Sequence, residues 1–167
     1  MAVTGVPEIH PVDEQLFKGA LGRWASGVTV ITAATADGPV GMAASSFSSV
    51  SKDPPLVLFC PAKSSSTWQQ MQSVKRFGVN ILAHDQADVC SVFARSGIDR
   101  FAEVEWSATE SGTPALAGVS VFIECSVESV HDAGDHDIVV GRMELVGIHE
   151  DARPLVYHSG QYGRFEA

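Results

Sequence analysis

Between Val12 and Trp24 the apolar residues Leu16, Phe17, Ala20, Leu21 and Trp24 recur at helical spacing, with Asp13 at the cap position. The pattern predicts an amphipathic helix, ended by Gly27. Val28 to Ala34 is then a β-branched run, Asp37-Gly38-Pro39 is a turn, and Val40 to Ser49 returns the chain, which together predict a hairpin. Leu56 to Cys60 is a continuous apolar run between Pro54-Pro55 and Pro61, the mark of a strand buried on both faces. Ser66 to Ser73 reads as a short helix, Arg76 to Leu82 as another buried strand, and Asp85 to Arg95 as a helix with Val89, Val92 and Phe93 inward. The period is lost from Ser96 to Ala117, where Gly97, Gly112 and Pro114 lie among acidic and polar residues, so a long surface excursion is expected. Alternation resumes in Val119 to Glu128 and Asp137 to Ile148, a long hairpin about the turn Asp132-Ala133-Gly134.

Strands at the start, middle and end with helices tucked around them place the chain in the mainly β, α+β class. They favour a closed or nearly closed antiparallel barrel over a doubly wound parallel sheet. With 167 residues, 45% of them hydrophobic, one domain is expected, spanning 11–167 after a flexible tail of about ten residues. A net charge of −9 argues against a nucleic-acid or anionic-membrane surface, which would need clustered Lys and Arg. No stretch is long and apolar enough to span a bilayer, and Met1-Ala2-Val3-Thr4-Gly5 lacks the pattern of a signal peptide, so a cytoplasmic location is expected. Cys60, Cys90 and Cys125 are odd in number and lie in apolar segments without Cys-x-x-Cys spacing, as reduced, buried thiols would.

Candidate chemistry concentrates between Pro39 and Thr67. Gly41-Met42-Ala43-Ala44-Ser45-Ser46-Phe47 has little bulk, so its backbone can approach a flat ligand and offer N–H and C=O groups. Lys63-Ser64-Ser65-Ser66-Thr67 precedes the expected helix at Trp68, where its hydroxyls either hold a phosphate or form an ordinary cap. Neither Gly-x-Gly-x-x-Gly nor a phosphate-loop motif occurs, so a nicotinamide cofactor would have to bind by another route. His131 and His136 match no zinc spacing and no metal site is expected, and without Gly-x-Ser-x-Gly the serines do not suggest a hydrolase.

The run from Pro39 to Thr67 resembles the flavin-reductase-like family, small split-barrel flavoproteins that serve as reductase components of two-component flavin-dependent monooxygenases. Further matches are Gly27-Val28-Thr29-Val30-Ile31-Thr32, Phe77-Gly78-Val79-Asn80-Ile81-Leu82, Asp99-Arg100-Phe101, Gly134-Asp135-His136, and the segment from Pro154 to Tyr162. They follow the family's order from about Asp13 to Tyr162. The resemblance implies a split antiparallel β-barrel of the FMN-binding type with a few peripheral helices. It also implies a homodimer with flavin at the subunit boundary, and a nicotinamide nucleotide stacked on the flavin's exposed face.

On that basis the flavin, FMN or FAD, is expected against Pro39, Val40, Gly41, Met42, Ala43, Ser45 and Ser46, with Cys60, Pro61 and Ala62 at the next edge. Ser66 and Thr67 are expected on the phosphate side. Val92 and Phe93 either complete the cleft or are core positions of their helix. His136 is placed by the resemblance at the nicotinamide side, and its alternative is a turn histidine bonded within its own loop. His158, Ser159, Gly160 and Gln161 match the segment near the nicotinamide nucleotide, NADH or NADPH. Arg100 is read first as a cap of the excursion, with a phosphate partner as its alternative. Hydride transfer from nicotinamide to flavin needs positioning more than a nucleophile or strong acid. The function expected is an NAD(P)H:flavin oxidoreductase that supplies reduced flavin to a separate monooxygenase. The alternatives are a tightly FMN-binding electron-transfer or carrier protein, and a purely structural role.

Overall fold

The computed structural model describes residues 4–166. In chain order the elements are α1 (Glu14–Leu21), β1 (Ser26–Gly27), β2 (Thr29–Thr35), β3 (Gly38–Ala44), β4 (Ser48–Lys52), β5 (Pro55–Phe59), α2 (Ser66–Met71), β6 (Arg76–Ile81) and α3 (Ala87–Ala94). A 3-10 turn at Arg100–Ala102 follows, then β7 (Trp106–Ala108), β8 (Pro114–Leu116), β9 (Val121–Ala133), β10 (His136–Ile148), β11 (Leu155–His158) and β12 (Gln161–Arg164). Seven strands form one antiparallel sheet in the order β3-β2-β6-β9-β10-β5-β4. Its two edge strands are consecutive in sequence, and the sheet curls so that the short link Ser45 to Phe47 crosses from one edge to the other. This is the split barrel that the pattern and the resemblance predict.

Burial explains the strand pattern. Ile31, Phe59, Phe77, Val79, Cys125 and Val139 form a core on one side of the sheet, and Val28, Val30, Leu82, Phe93, Phe101 and Leu155 form a second on the other. Central strands β2 and β6 therefore have both faces covered and read as near-continuous apolar runs. Each large core side chain contributes roughly 1.5–3 kcal/mol through burial. β10 changes register against β9 at Val140/Gly141 and Met143/Leu145, irregularities that bend a strand and help the sheet curl. At Gly141 a Cβ would collide with the buried Phe77 ring, so glycine is required there.

Five expectations need correction. The run Leu56 to Cys60 is not buried on both faces: in β5 only Val57 and Phe59 are buried, while Leu56 and Leu58 are half-exposed, because the second core does not extend over this end of the sheet. Val40 to Ser49 is not one strand. It breaks at Ser45–Phe47, since the chain must leave one edge of the split before it can pair on the other.

Ser96 to Ala117 is not a plain surface excursion either. It buries Phe101, Thr113 and Leu116 and forms the hairpin β7–β8. Buried Asn80 anchors it, donating to Val30 O at 3.0 Å and Thr32 Oγ1 at 3.1 Å and accepting from the Leu116 N–H at 2.8 Å. The first helix ends at Leu21 with Gly22 as its cap, and Gly27 instead lies in β1, paired with Val156 of β11.

Of the expected tail, residues 1–3 lie outside the described residues; residues 4–10 are exposed and form neither helix nor strand. Ala167, at the end of the expected domain, also lies outside them. Cys90 and Cys125 are buried free thiols, as expected, but Cys60 is only half-buried. Burial pushes the Cys125 thiol up to about 12. No helix among the described residues is long and apolar enough to cross a membrane.

Candidate functional site

β3 is an edge strand, so alternate residues turn their backbone N–H and C=O groups away from β2. Two side-chain contacts show which ones. Ala44 O accepts from Thr29 Oγ1 on β2 at 2.7 Å, and Gly41 O accepts from Arg100 Nη1 at 2.6 Å on the open side. Pro39, Gly41 and Ala43 therefore face outward, and Pro39, which has no N–H to offer, stands where none is needed by the sheet. Ala43 is left with an outward N–H and C=O beside side chains too small to cover them. That donor set fits the edge of a flat heterocycle.

The reason for the small residue at Gly41 is different. A Cβ there would lie 2.7 Å from Phe93 Cε1, so the missing side chain makes room for a core ring rather than for a ligand. Phe93 and Val92 are correspondingly buried, and Phe93 meets Phe101 edge-on at 5.3 Å between ring centroids. They take the core role, supporting β3 from behind.

At its start β3 borders a cavity of about 280 Å³, shared by Pro39, Val40, Gly41, Ser66, Thr67 and Arg100 among others. Ser65, not Ser66, caps α2 by accepting from the Trp68 N–H at 3.2 Å. Thr67 Oγ1 accepts from Arg100 Nη1 at 3.0 Å. Arg100 also donates through Nε to Arg95 O at 2.7 Å, so it does tie down its own excursion, but its longer reach is to β3.

Beyond the end of β3, Ser46 Oγ accepts from the Cys60 N–H at 2.9 Å and lies 3.3 Å from Cys60 O, joining the two sides of the split. Partial burial raises the Cys60 thiol pKa, which keeps it protonated at neutral pH. Pro61 and Ala62 continue this edge and meet the β9–β10 turn: Asp137 N–H donates to Pro61 O at 3.0 Å, and Ala62 bridges to His136.

His136 thus stands beside the 60–62 edge. Its Nδ1 lies 2.8 Å from Asp135 Oδ1, and Nε2 makes no hydrogen bond among the described residues. The turn behind it is held by Lys63, whose Nζ donates to Asp132 and, at 2.6 Å, to Gly134 O. Trp68 Nε1 donates to Asp137 Oδ2 at 2.8 Å. The hydrogen bond to Asp132 raises the Lys63 pKa, and the Asp132 and Asp135 carboxyls are held below the usual range by Lys63 and His136 respectively.

His158, Ser159, Gly160 and Gln161 form the exposed β11–β12 turn, with Ser159 (φ 49°) and Gly160 (φ 79°) both left-handed, as a two-residue hairpin turn requires. Ser159 donates through N and Oγ to Gly22 O, at 2.9 and 3.1 Å. This segment docks on the end of α1, and the structure does not join it to His136. Its flanking residues do approach the candidate site. Tyr157 and Tyr162 line a cavity of about 210 Å³ with Ala43, Ala44, Ser45 and Cys90. Tyr162 donates to Cys90 Sγ at 3.1 Å, and that bond together with desolvation pushes the Tyr162 hydroxyl up to about 12.

The roles of Lys63, Asp137 and Trp68 were not legible, because their partners lie about seventy positions away in the chain. Tyr157 and Tyr162 flank the His158 segment, and no local sequence signal assigns them to the site.

Comparisons with known proteins agree with this architecture. The profile of the family described as "Flavin reductase like domain" matches residues 21–166. The chain is 40% identical over 162 residues to the reductase subunit HsaB of a flavin-dependent monooxygenase from Rhodococcus jostii, covering 97% of this chain and 83% of that one. It is 43% identical over 149 residues to an FMN reductase (NADH) from Agrobacterium fabrum, covering 89% and 84%. The NADH:FAD oxidoreductase of Streptomyces globisporus, solved in complex with NAD and FAD fragments, superposes with a TM-score of 0.90 at 31% identity, covering 96% of this chain and 98% of that one.

Proposed function

The chain belongs to the flavin reductase-like family, and on that premise we propose that it passes a hydride from NADH or NADPH to FMN or FAD and supplies the reduced flavin to a separate monooxygenase. The observation that carries this reading is the open edge of β3. It presents the Ala43 backbone groups between two polar ends, Ser46 with Cys60 at one and Thr67 with Arg100 at the other.

A bound flavin supplies the ring that accepts the hydride and holds the electron pair. The protein's part is to bind and orient. The Ala43 N–H and the Ser45 hydroxyl are donors for the ring edge that gains negative charge on reduction, with Ser46, bonded to Cys60, fixing the link that carries them. Cys60, Pro61 and Ala62 shield the adjoining edge from water. His136, with Nε2 unpartnered and Nδ1 tied to Asp135, is suited to orient the nicotinamide carboxamide. No proton need be taken from either ring for the hydride itself to move, which fits a site without a buried acid or nucleophile.

The functional unit is read as a homodimer. What supports this is α1, whose apolar face is left largely exposed by the described residues: Phe17 is 56% exposed, Leu21 59% and, just beyond, Trp24 78%. A cytoplasmic location accords with reduced thiols and this chemistry.

The test is oxidation of NADH and NADPH by the purified chain with FMN, FAD or riboflavin in turn, followed by nicotinamide absorbance. Turnover that saturates with added flavin is expected. A chain that binds flavin but turns over no nicotinamide nucleotide would overturn the reductase reading in favour of a flavin carrier.

A further inference from the structure

His136 and Asp137 are consecutive at the start of β10, so their side chains leave opposite faces of the strand. Their surroundings differ accordingly: the His136 side chain is 44% exposed and the Asp137 side chain 14%. Asp137 turns inward to α2, where its Oδ2 accepts from Trp68 Nε1 at 2.8 Å and its Oδ1 lies 4.0 Å from Lys63 Nζ. Trp68 is itself fixed by the core. It is buried, and its ring meets that of Phe59 edge-on at 6.1 Å between centroids.

The tip of the β9–β10 hairpin has little core beneath it, for Val130 to Ala133 of β9 are all exposed. What attaches it to the barrel is the segment from Pro61 to Trp68. Asp137 N–H donates to Pro61 O and Lys63 N–H to Asp135 O, each at 3.0 Å, and the Lys63 and Trp68 side chains add their bonds to these. A buried indole needs an acceptor, but a neutral one would serve. A carboxylate is costly in that place, since it gives up water for one hydrogen bond and a distant ammonium. What its charge adds is a hold on Lys63, which in turn grips Asp132 and Gly134 O on the far side of the turn. One group thus secures the strand that carries His136 to both the core and the turn.

We propose that Asp137 is a positioning residue for the nicotinamide: held by Trp68 and Lys63, it fixes the direction in which His136 leaves β10. The proposal rests on the role of His136 given above, and extends it to a residue on the opposite face of the strand.

The test is steady-state oxidation of NADH, or of NADPH if the wild type prefers it, with added FMN. The chains compared are the wild type, Asp137→Ala, Asp137→Asn, Trp68→Phe, His136→Ala and the double variant of Asp137→Ala with His136→Ala. Asp137→Ala should lower kcat/KM for the nucleotide about three- to tenfold, no further than His136→Ala does, with the KM for FMN within about twofold of wild type. Trp68→Phe removes the indole N–H while keeping an aromatic ring in the core, and should give the same kind of defect. Asp137→Asn should recover part of the loss, because it keeps an acceptor for the indole but no charge for Lys63. In the His136→Ala background, Asp137→Ala should cost less than about a further twofold. Trp68→Phe combined with His136→Ala makes the same cycle should Asp137→Ala fail to fold. The bond itself is read without turnover, from hydrogen exchange of the Trp68 indole N–H followed by NMR and identified by its absence in Trp68→Phe. Exchange should be at least about tenfold slower in the wild type than in Asp137→Ala.

An undiminished loss from Asp137→Ala in the His136→Ala background would mean that Asp137 acts through its own field or through the fold, and would overturn the positioning role while leaving His136 in place. So would wild-type kinetics in Trp68→Phe, or equal indole exchange with and without the Asp137 carboxylate. Wild-type kinetics in His136→Ala would overturn the reading of His136 itself, and the positioning role with it.

Discussion

The hydroxyl of Ser46 accepts a hydrogen bond from the Cys60 amide at 2.9 Å, across the gap between the two edges of the split sheet. Fourteen residues separate the pair, and the link that carries Ser46 belongs to neither flanking strand. Ser46→Ala leaves the Cys60 N–H without a partner. It should cost about 1–2 kcal/mol of stability in urea unfolding, with the slope of the transition unchanged. Because the same link borders the proposed ring site, flavin affinity should fall as well. Wild-type values of both would show that the split holds together without this bond.

Gly41→Ala places a methyl group 2.7 Å from Phe93 Cε1 and 3.2 Å from Ile31 O. Overpacking of this kind should destabilise the chain by about 1–3 kcal/mol. Phe93→Leu should be less harmful in the Gly41→Ala background than in the wild type, a coupling that a double-mutant cycle measures. If Gly41 were small only to admit a ligand, Gly41→Ala would weaken flavin binding with no loss of stability and no coupling to Phe93.

The His136 side chain is half-exposed and, among the described residues, hydrogen-bonded only to its neighbour Asp135, so removing it should leave folding unaffected. His136→Ala is expected to lower kcat/KM for the nicotinamide nucleotide about tenfold, ~1.4 kcal/mol of transition-state binding, with flavin KM nearly constant. Lys63→Met, which loosens the turn carrying His136, should show a weaker form of the same defect. A fall in the unfolding midpoint that accounts for the lost activity would return His136 to a structural role.

Tyr157 and Tyr162 are the only tyrosines, so a Tyr157→Phe chain reports Tyr162 alone. Its ionisation, followed by tyrosinate absorbance, should have a midpoint near 12, against the ordinary value of about 10. The raised pKa means that the folded state keeps a proton which the unfolded state releases. The stability it contributes is therefore fully present below pH 10 and falls as pH rises from about 10 towards 12. Cys90→Ala removes the first cause of the shift and should bring the midpoint down. An unshifted midpoint with Cys90 intact would show that the bond is not formed in solution.

Periodicity and turn chemistry marked most of the fold. The hairpin β2–β3, the helices α2 and α3 and the long hairpin β9–β10 all occur where alternation or helical spacing puts them. These signals are local: each is decided by which face of one element is apolar. The same locality explains the errors. Whether Leu56 and Leu58 are covered depends on how far a second core extends, and Phe101, Thr113 and Leu116 are buried because Asn80, in another strand, supplies an anchor for their segment.

By itself the sequence determined a mainly β fold, a net negative charge, and a small-residue run followed by a serine cluster whose order identifies the family. It could not tell that Gly41 is small for Phe93, that Ser65 is the serine that caps α2, or that Arg100 has no carboxylate partner among the described residues. Only the tertiary structure decided these, because each depends on atoms brought together by curling the sheet until its two edges meet. A backbone amide left free on β3, a hydroxyl bridging the split and a cation half-buried beside Gly41 and Thr67 are properties of that closure, and no residue carries them alone.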